Sequence, residues 1–117
     1  MSVIVHIAER AAWQAAQETG DYRTPSLEFE GFIHFSTPSQ VLQVANFFYA
    51  GSSDLVLLVV DPEALIATLR YEALIREEST EQFPHLYGPL NLDAVTKVLS
   101  FPSRADGLFD LPFELSG

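Results

Sequence analysis

Apolar positions along the chain fall into two periods. Val3 to Ile7, Leu55 to Val60 and Val95 to Phe101 are short runs rich in β-branched or leucine residues and predict strands, and Gly31 to Ser36, with Phe32, Ile33 and Phe35, predicts another. Leu69, Tyr71 and Ala73 alternate with Arg70 and Glu72, which predicts a further strand with one wetter face. The helical period appears twice. Arg10 to Glu18 is rich in Ala and Gln, places Trp13 and Ala16 on one side, and meets a stop at Gly20. In Thr37-Pro38-Ser39-Gln40, Thr37 reads as a cap, Pro38 as a first helical residue and Gln40 as the other half of a capping box. The helix predicted there runs from Pro38 to Tyr49 and turns Val41, Leu42, Ala45, Phe48 and Tyr49 inward.

Polar and proline-bearing segments separate these elements. Asp21 to Glu30, with Pro25, reads as a loop. Asp61-Pro62-Glu63 reads as a helical turn, and Glu77 to Gln82 as an acidic loop. Pro84, Gly88 and Pro89 are expected to keep Phe83 to Leu92 irregular, and the segment after Phe101 reads as a proline-containing tail. The resulting order is β-α-β-α-β-turn-β-loop-β. Helices cluster early and strands late, which favours an α+β domain over a doubly wound parallel sheet.

Length adds that residues 1–117 suit one domain. An apolar content of 48% is enough for a core without metal or disulfide staples. The chain has no cysteine, which excludes disulfides, thiolate catalysis and Cys-based zinc sites. The longest apolar run is far shorter than the roughly 20 residues of a membrane helix, and the start lacks the features of a signal peptide. The expectation is a soluble cytoplasmic protein.

Charge narrows the partners. A net charge of −10 with six Lys and Arg repels polyanions and anionic membranes, so no nucleic-acid or membrane partner is expected. A small anionic ligand stays open, because local donors can overcome the global field.

Candidate chemistry rests on three histidines. His6 points opposite to Val5 and Ile7 if the first strand holds, and Phe32, His34 and Ser36 share one face of the second. Such polar groups are costly in an apolar strand unless hydrogen-bonded, so each lone His also has a plain structural reading. No His pair has the close spacing of a metal site, and no metal is expected. Thr37 reads as a cap; the helix start beside it would also suit a phosphate or ribose next to His34. Phe83-Pro84-His85-Leu86-Tyr87-Gly88-Pro89-Leu90 is either a rigid plug for the core or a rigid holder of binding groups. No nucleophile triad motif, P-loop or dinucleotide glycine fingerprint is present.

Three segments carry a resemblance. Val5-His6-Ile7-Ala8 with Trp13, then Glu30-Gly31-Phe32-Ile33-His34-Phe35-Ser36-Thr37, then Phe83 through Asn91, together resemble the bacterial family known as domain of unknown function 952. That family has been grouped with ADP-ribosyltransferase-like proteins. The resemblance therefore implies two small, mainly antiparallel sheets forming a cleft for NAD, with two main helices. It implies His6 as the polar residue of the first strand and His34-Phe35-Ser36-Thr37 as the second element. The acidic residue usual before a late strand is missing, with His85 and Tyr87 in its place. This argues against ordinary protein ADP-ribosylation. The site expected from the resemblance has Ser36 and His34 at the ribose, His6 and Thr37 among the cofactor contacts, Tyr87 stacked on nicotinamide and His85 as acid or base. Two alternatives stand beside it: a non-catalytic ligand-binding module and a protein-interaction module.

Overall fold

The structure is a computed structural model that describes residues 2–73 and 81–116. The predicted acidic loop from Glu77 lies mostly outside the described residues.

The centre of the molecule is β4 (Leu55–Val60), whose six residues are all buried. It lies between β1 (Ile4–Glu9) and β8 (Val95–Ser100), antiparallel to both. Strand alternation sends Val56, Leu58 and Val60 to one core, and Leu55, Leu57 and Val59 to another. Helix α1 (Arg10–Thr19) follows β1 directly and covers the first core with Trp13 and Ala16. It ends at Gly20, which takes φ +102° and donates its N–H to the Ala16 carbonyl, the left-handed stop that glycine makes inexpensive.

The segment expected to be a loop at Asp21 to Glu30 is structured. It holds β2 (Asp21–Tyr22) and the short helix α2 (Pro25–Phe29). Pro25 marks a helix start here rather than a break, because its missing N–H falls among donors that have no intrahelical partner anyway. β2 pairs with β7 (Leu90–Asn91).

The predicted second strand is cut to β3 (Ile33–His34), because Gly31 turns the chain at φ +91°. Past His34 the chain crosses to β1, and Ser36 exchanges both main-chain bonds with Val5 at 2.8 Å. Helix α3 (Val41–Phe48) begins later than the capping motif predicts, and the Thr37 hydroxyl caps nothing. It bonds the Ser39 hydroxyl instead, while the Gln40 carboxamide oxygen accepts from the Thr37 N–H, so only the second half of the box forms. Val41 and Ala45 are buried and Leu42 and Tyr49 pack against the second core as expected, but Phe48 is exposed, and Val44 joins the packed stripe in its place.

The largest departure is Phe83 to Leu92. Gln82 to Tyr87 form β6, the middle strand of a sheet ordered β3, β6, β5, with β5 at Thr68–Ala73. Pro84 is tolerated for a specific reason. Its carbonyl accepts from Phe35 N–H, so its absent donor faces the β3 side, where regular pairing ends after His34. The segment after β8 is likewise not a loose tail: Phe101 and Phe109 stack at 4.6 Å and fill the second core, and a short helix, α4 (Phe113–Ser116), follows. Among the described residues the architecture is α+β with small antiparallel sheets, two longer helices and two short ones. No helix among the described residues is long and apolar enough to cross a membrane.

Candidate functional site

β1 is an edge strand of one three-stranded sheet and β3 an edge strand of the other. They touch at the Val5–Ser36 bridge and then diverge. Main-chain groups of a strand alternate between its two edges. Val5 faces Ser36, so Ile7 turns its N–H and C=O to the same open side; His34 turns its main chain there from β3, with its carbonyl taken by His6. Between them lies a cavity of about 600 Å³. β1 and α1 line it with Ile7, Glu9 and Ala12; Tyr22 to Ser26 form a second wall, and His34 to Ser36 a third. Val44 and Phe48 of α3 and Tyr49 just past its end complete it, which gives exposed Phe48 a place at its margin.

His6 fixes the geometry of this gap. It lies on the side of β1 opposite Val5 and Ile7, as expected, but buried rather than wet. Its Nδ1–H donates to the His34 carbonyl at 2.6 Å, which leaves Nε2 to accept from the Tyr22 hydroxyl at 2.9 Å. The ring packs against Phe35 and edge-on to Tyr22. Burial lowers its pKa to about 4, so it is neutral at physiological pH. Burial also raises the pKa of Tyr22 and of Tyr49, with Glu9 adding to both. With both nitrogens engaged and no charge, His6 is a positioning group.

Ser36 is buried in the cavity wall, whereas Thr37 does not line it. The remaining predicted residues assemble elsewhere. The His34 side chain points away from His6, onto the outer face of the β3–β6–β5 sheet. Its ring meets His85 edge-on at 5.4 Å, and its Nε2 lies 3.1 Å from Glu30. Phe32 stacks flat on His85 at 4.1 Å and touches Tyr87 at 5.3 Å. Thus His34, His85 and Tyr87 do come together, but on the face of the sheet opposite the side that carries Ile33, Phe35 and Leu86.

Two residues at these places escaped the sequence reading. Tyr22 lay in an expected loop, and Glu72 was seen only as part of a wetter face. The Glu72 carboxylate accepts from His85 Nδ1–H at 2.9 Å and from the Tyr87 hydroxyl at 2.5 Å. These bonds, Tyr87 first, hold its pKa below the usual carboxylate range and raise that of Tyr87. The signal was available: His85 and Tyr87 are two apart, and so share a face once β6 is read as a strand. Among the described residues, no group of three or more His, Asp or Glu is arranged to hold a metal ion.

Comparison with known proteins agrees on kinship and is silent on activity. Residues 7–98 match the profile of a family described as protein of unknown function, DUF952. The crystal structure of protein CC0527 from Caulobacter crescentus is similar with a TM-score of 0.87 and 34% identity, covering 98% of this chain and 99% of that one. The solution NMR structure of the same protein gives a TM-score of 0.82 and 35% identity over 97% of each chain. No curated protein matches the chain.

Proposed function

The chain belongs to the DUF952 family of proteins of unknown function, and on that premise we propose that its cleft binds a nucleotide of the NAD class. One observation carries this reading. Two edge strands diverge beside a cavity of about 600 Å³ and leave the main-chain N–H and C=O of Ile7 and the N–H of His34 facing it, the His34 carbonyl being held by His6. Such a volume lies within the range of small-molecule and cofactor sites. The unpaired edge at Ile7 suits a planar carboxamide, which needs one donor and one acceptor side by side. The hydroxyls of Tyr22, Thr24, Ser26 and Ser36 suit a ribose, and Arg23 supplies a cation for phosphate in an otherwise acidic chain.

In this reading His6 holds the β3 edge in place and does not touch phosphate. Glu9 is the carboxylate in the cavity wall, available to stabilise positive charge at a ribose carbon during transfer. The ADP-ribosyltransferase-like kinship and a cytoplasmic setting belong to the same proposal. So does indifference to nucleic acid, which the charge supports.

The test is thermal unfolding of the whole chain with NAD and with ADP-ribose. A ligand bound only by the native state at 100 times its Kd stabilises by about 2.7 kcal/mol. Saturable stabilisation is expected, and it should vanish in Ala12→Phe, which fills the cavity without touching its polar groups. Nicotinamide release then separates turnover from binding. No shift with either nucleotide would refute the reading.

A further inference from the structure

The outer face of the β3–β6–β5 sheet has a chemistry that the cleft does not use. Register sets His34, His85 and Arg70 directly opposite one another, one from each strand, on one face. Opposed residues of this kind have Cβ atoms about 5 Å apart. Three nitrogen-bearing side chains thus form a row across the sheet, in a chain with six Lys and Arg in all. Their surroundings differ. His34 is met by Glu30 and His85 by Glu72. Arg70 makes no hydrogen bond or ion pair among the described residues; its guanidinium lies over the Tyr87 ring, 5.7 Å from the centroid. Beside it is a concavity of about 260 Å³ lined by Thr68, Arg70 and Tyr87.

His85 supplies the second, independent observation. Its side chain is 4% exposed. Nδ1 is committed to Glu72, while Nε2 is buried with no hydrogen-bond partner among the described residues. Leaving such an atom unsatisfied is costly, and a native structure rarely does so without a use for it. The Phe32 ring lies flat on one face of the imidazole and holds its plane, so Nε2, whose hydrogen bonds run in that plane, is not directed at Phe32.

We propose that this face is a second binding site, separate from the cleft, for a small phosphate monoester held by Arg70, Thr68 and His85. Arg70 offers the planar fork of donors that matches phosphate oxygens, and Thr68 adds a hydroxyl. His85 fits phosphate in either protonation state. As an imidazolium it donates Nε2–H to a phosphate oxygen. As a neutral ring, with Nδ1–H held by Glu72, it accepts from the hydroxyl of a monoprotonated ester. A carboxylate ionised at neutral pH has no such hydroxyl. Polyphosphate chains and nucleic acids meet the repulsion of the whole molecule, which favours a small ligand.

The test is an NMR titration of the whole chain with inorganic phosphate and with ribose 5-phosphate, following the imidazole nitrogens and the Arg70 Nε. Acetate at matched ionic strength serves as control. Saturable shifts at His85 Nε2 and Arg70 are expected with both phosphates and not with acetate. Arg70→Gln, an exposed change that leaves the fold intact, should weaken binding about tenfold or more, the equivalent of about 1.4 kcal/mol. The cavity-filling Ala12→Phe should leave this binding unchanged. Absence of saturable shifts, equal shifts with acetate, or unchanged affinity in Arg70→Gln would overturn the proposal. Loss of phosphate binding in Ala12→Phe would also overturn it, by moving the phosphate into the cleft.

Discussion

The imidazole of His6 and the main-chain carbonyl of His34 form a 2.6 Å hydrogen bond across the gap between two sheets. It joins β1 to β3 beside the isolated bridge between Val5 and Ser36. The bond requires Nδ1 to carry its proton, and the Tyr22 hydroxyl then defines Nε2 as the acceptor.

This arrangement makes stability depend on pH with a definite sign. The pKa of His6 falls from 6.5 to about 4 on folding. Between those values the unfolded chain binds the proton and the folded chain does not. Stability from this group is therefore full above 6.5, falls as pH drops toward 4, and is level below that. At about 1.36 kcal/mol per pKa unit the loss is on the order of 3 kcal/mol. Urea unfolding at a series of pH values should show this slope in the native chain, and a shallower one in His6→Gln. Equal slopes would mean that His6 is not buried in its neutral form.

Tyr22→Phe should leave His6 Nε2 without its donor. The expected cost is about 1–3 kcal/mol, that of a buried acceptor left unsatisfied. Chemical denaturation measures it, and the His6 nitrogen resonances should report the lost bond. A change within about 0.5 kcal/mol, typical of neutral surface substitutions, would show that water replaces the hydroxyl.

The start of α3 allows a paired comparison. Thr37 does not cap the helix through its side chain, so Thr37→Ala should stay within about 0.5 kcal/mol of the native chain. Gln40 is buried and bonds the Thr37 N–H, the Gln82 carbonyl and Glu81. Gln40→Ala should therefore cost about 1–3 kcal/mol, because it leaves the Thr37 N–H and the Gln82 carbonyl unpaired. Equal costs, or the reverse order, would restore the capping interpretation.

Gly88→Ala probes the turn after β6. A Cβ at this position would lie 2.7 Å from the Ala67 Cβ, closer than real contacts allow. The backbone φ of 156° adds to the strain. Thermal unfolding should show destabilisation of about 1–3 kcal/mol, the usual range for forced overpacking. Gly31→Ala, where no atom lies within 4 Å, isolates the backbone contribution at φ +91°.

Much of the fold was legible because it is local. Leu55 to Val60 announces a strand buried on both faces, and Gly20 ends α1 as its position suggests. Pro84 and Pro25 misled for one common reason. A proline removes a donor, and whether that matters depends on what the donor would have faced. Near Pro84 it faces the side where β3 stops pairing; at Pro25 it belongs to a helix start. The clustering of His34, His85 and Tyr87 was legible from their motifs. Their separation from the His6 side was not, because that depends on which way β3 turns its alternating side chains once Gly31 has bent the chain. Glu72 and Tyr22 were harder still, since each meets its partners only through register between strands distant in sequence.

The pairing scheme also bears on how the chain reaches its native state. Ile4 lies opposite Val60, Tyr22 opposite Leu90, and Ile33 opposite Leu86. Each of these strands waits for a partner from much later in the chain, and only β5 and β6 are near neighbours along it. Loop closure must therefore precede nearly every reward from pairing, which places such a chain toward the slow, millisecond-to-second end of small-domain folding. Until β4 is sandwiched, its six apolar residues form a run without a single charge, an uncovered strand of the kind that associates with its own copies. The excess of negative charge that discourages polyanions thus has a second effect: it keeps unfinished chains apart while β4 waits to be covered.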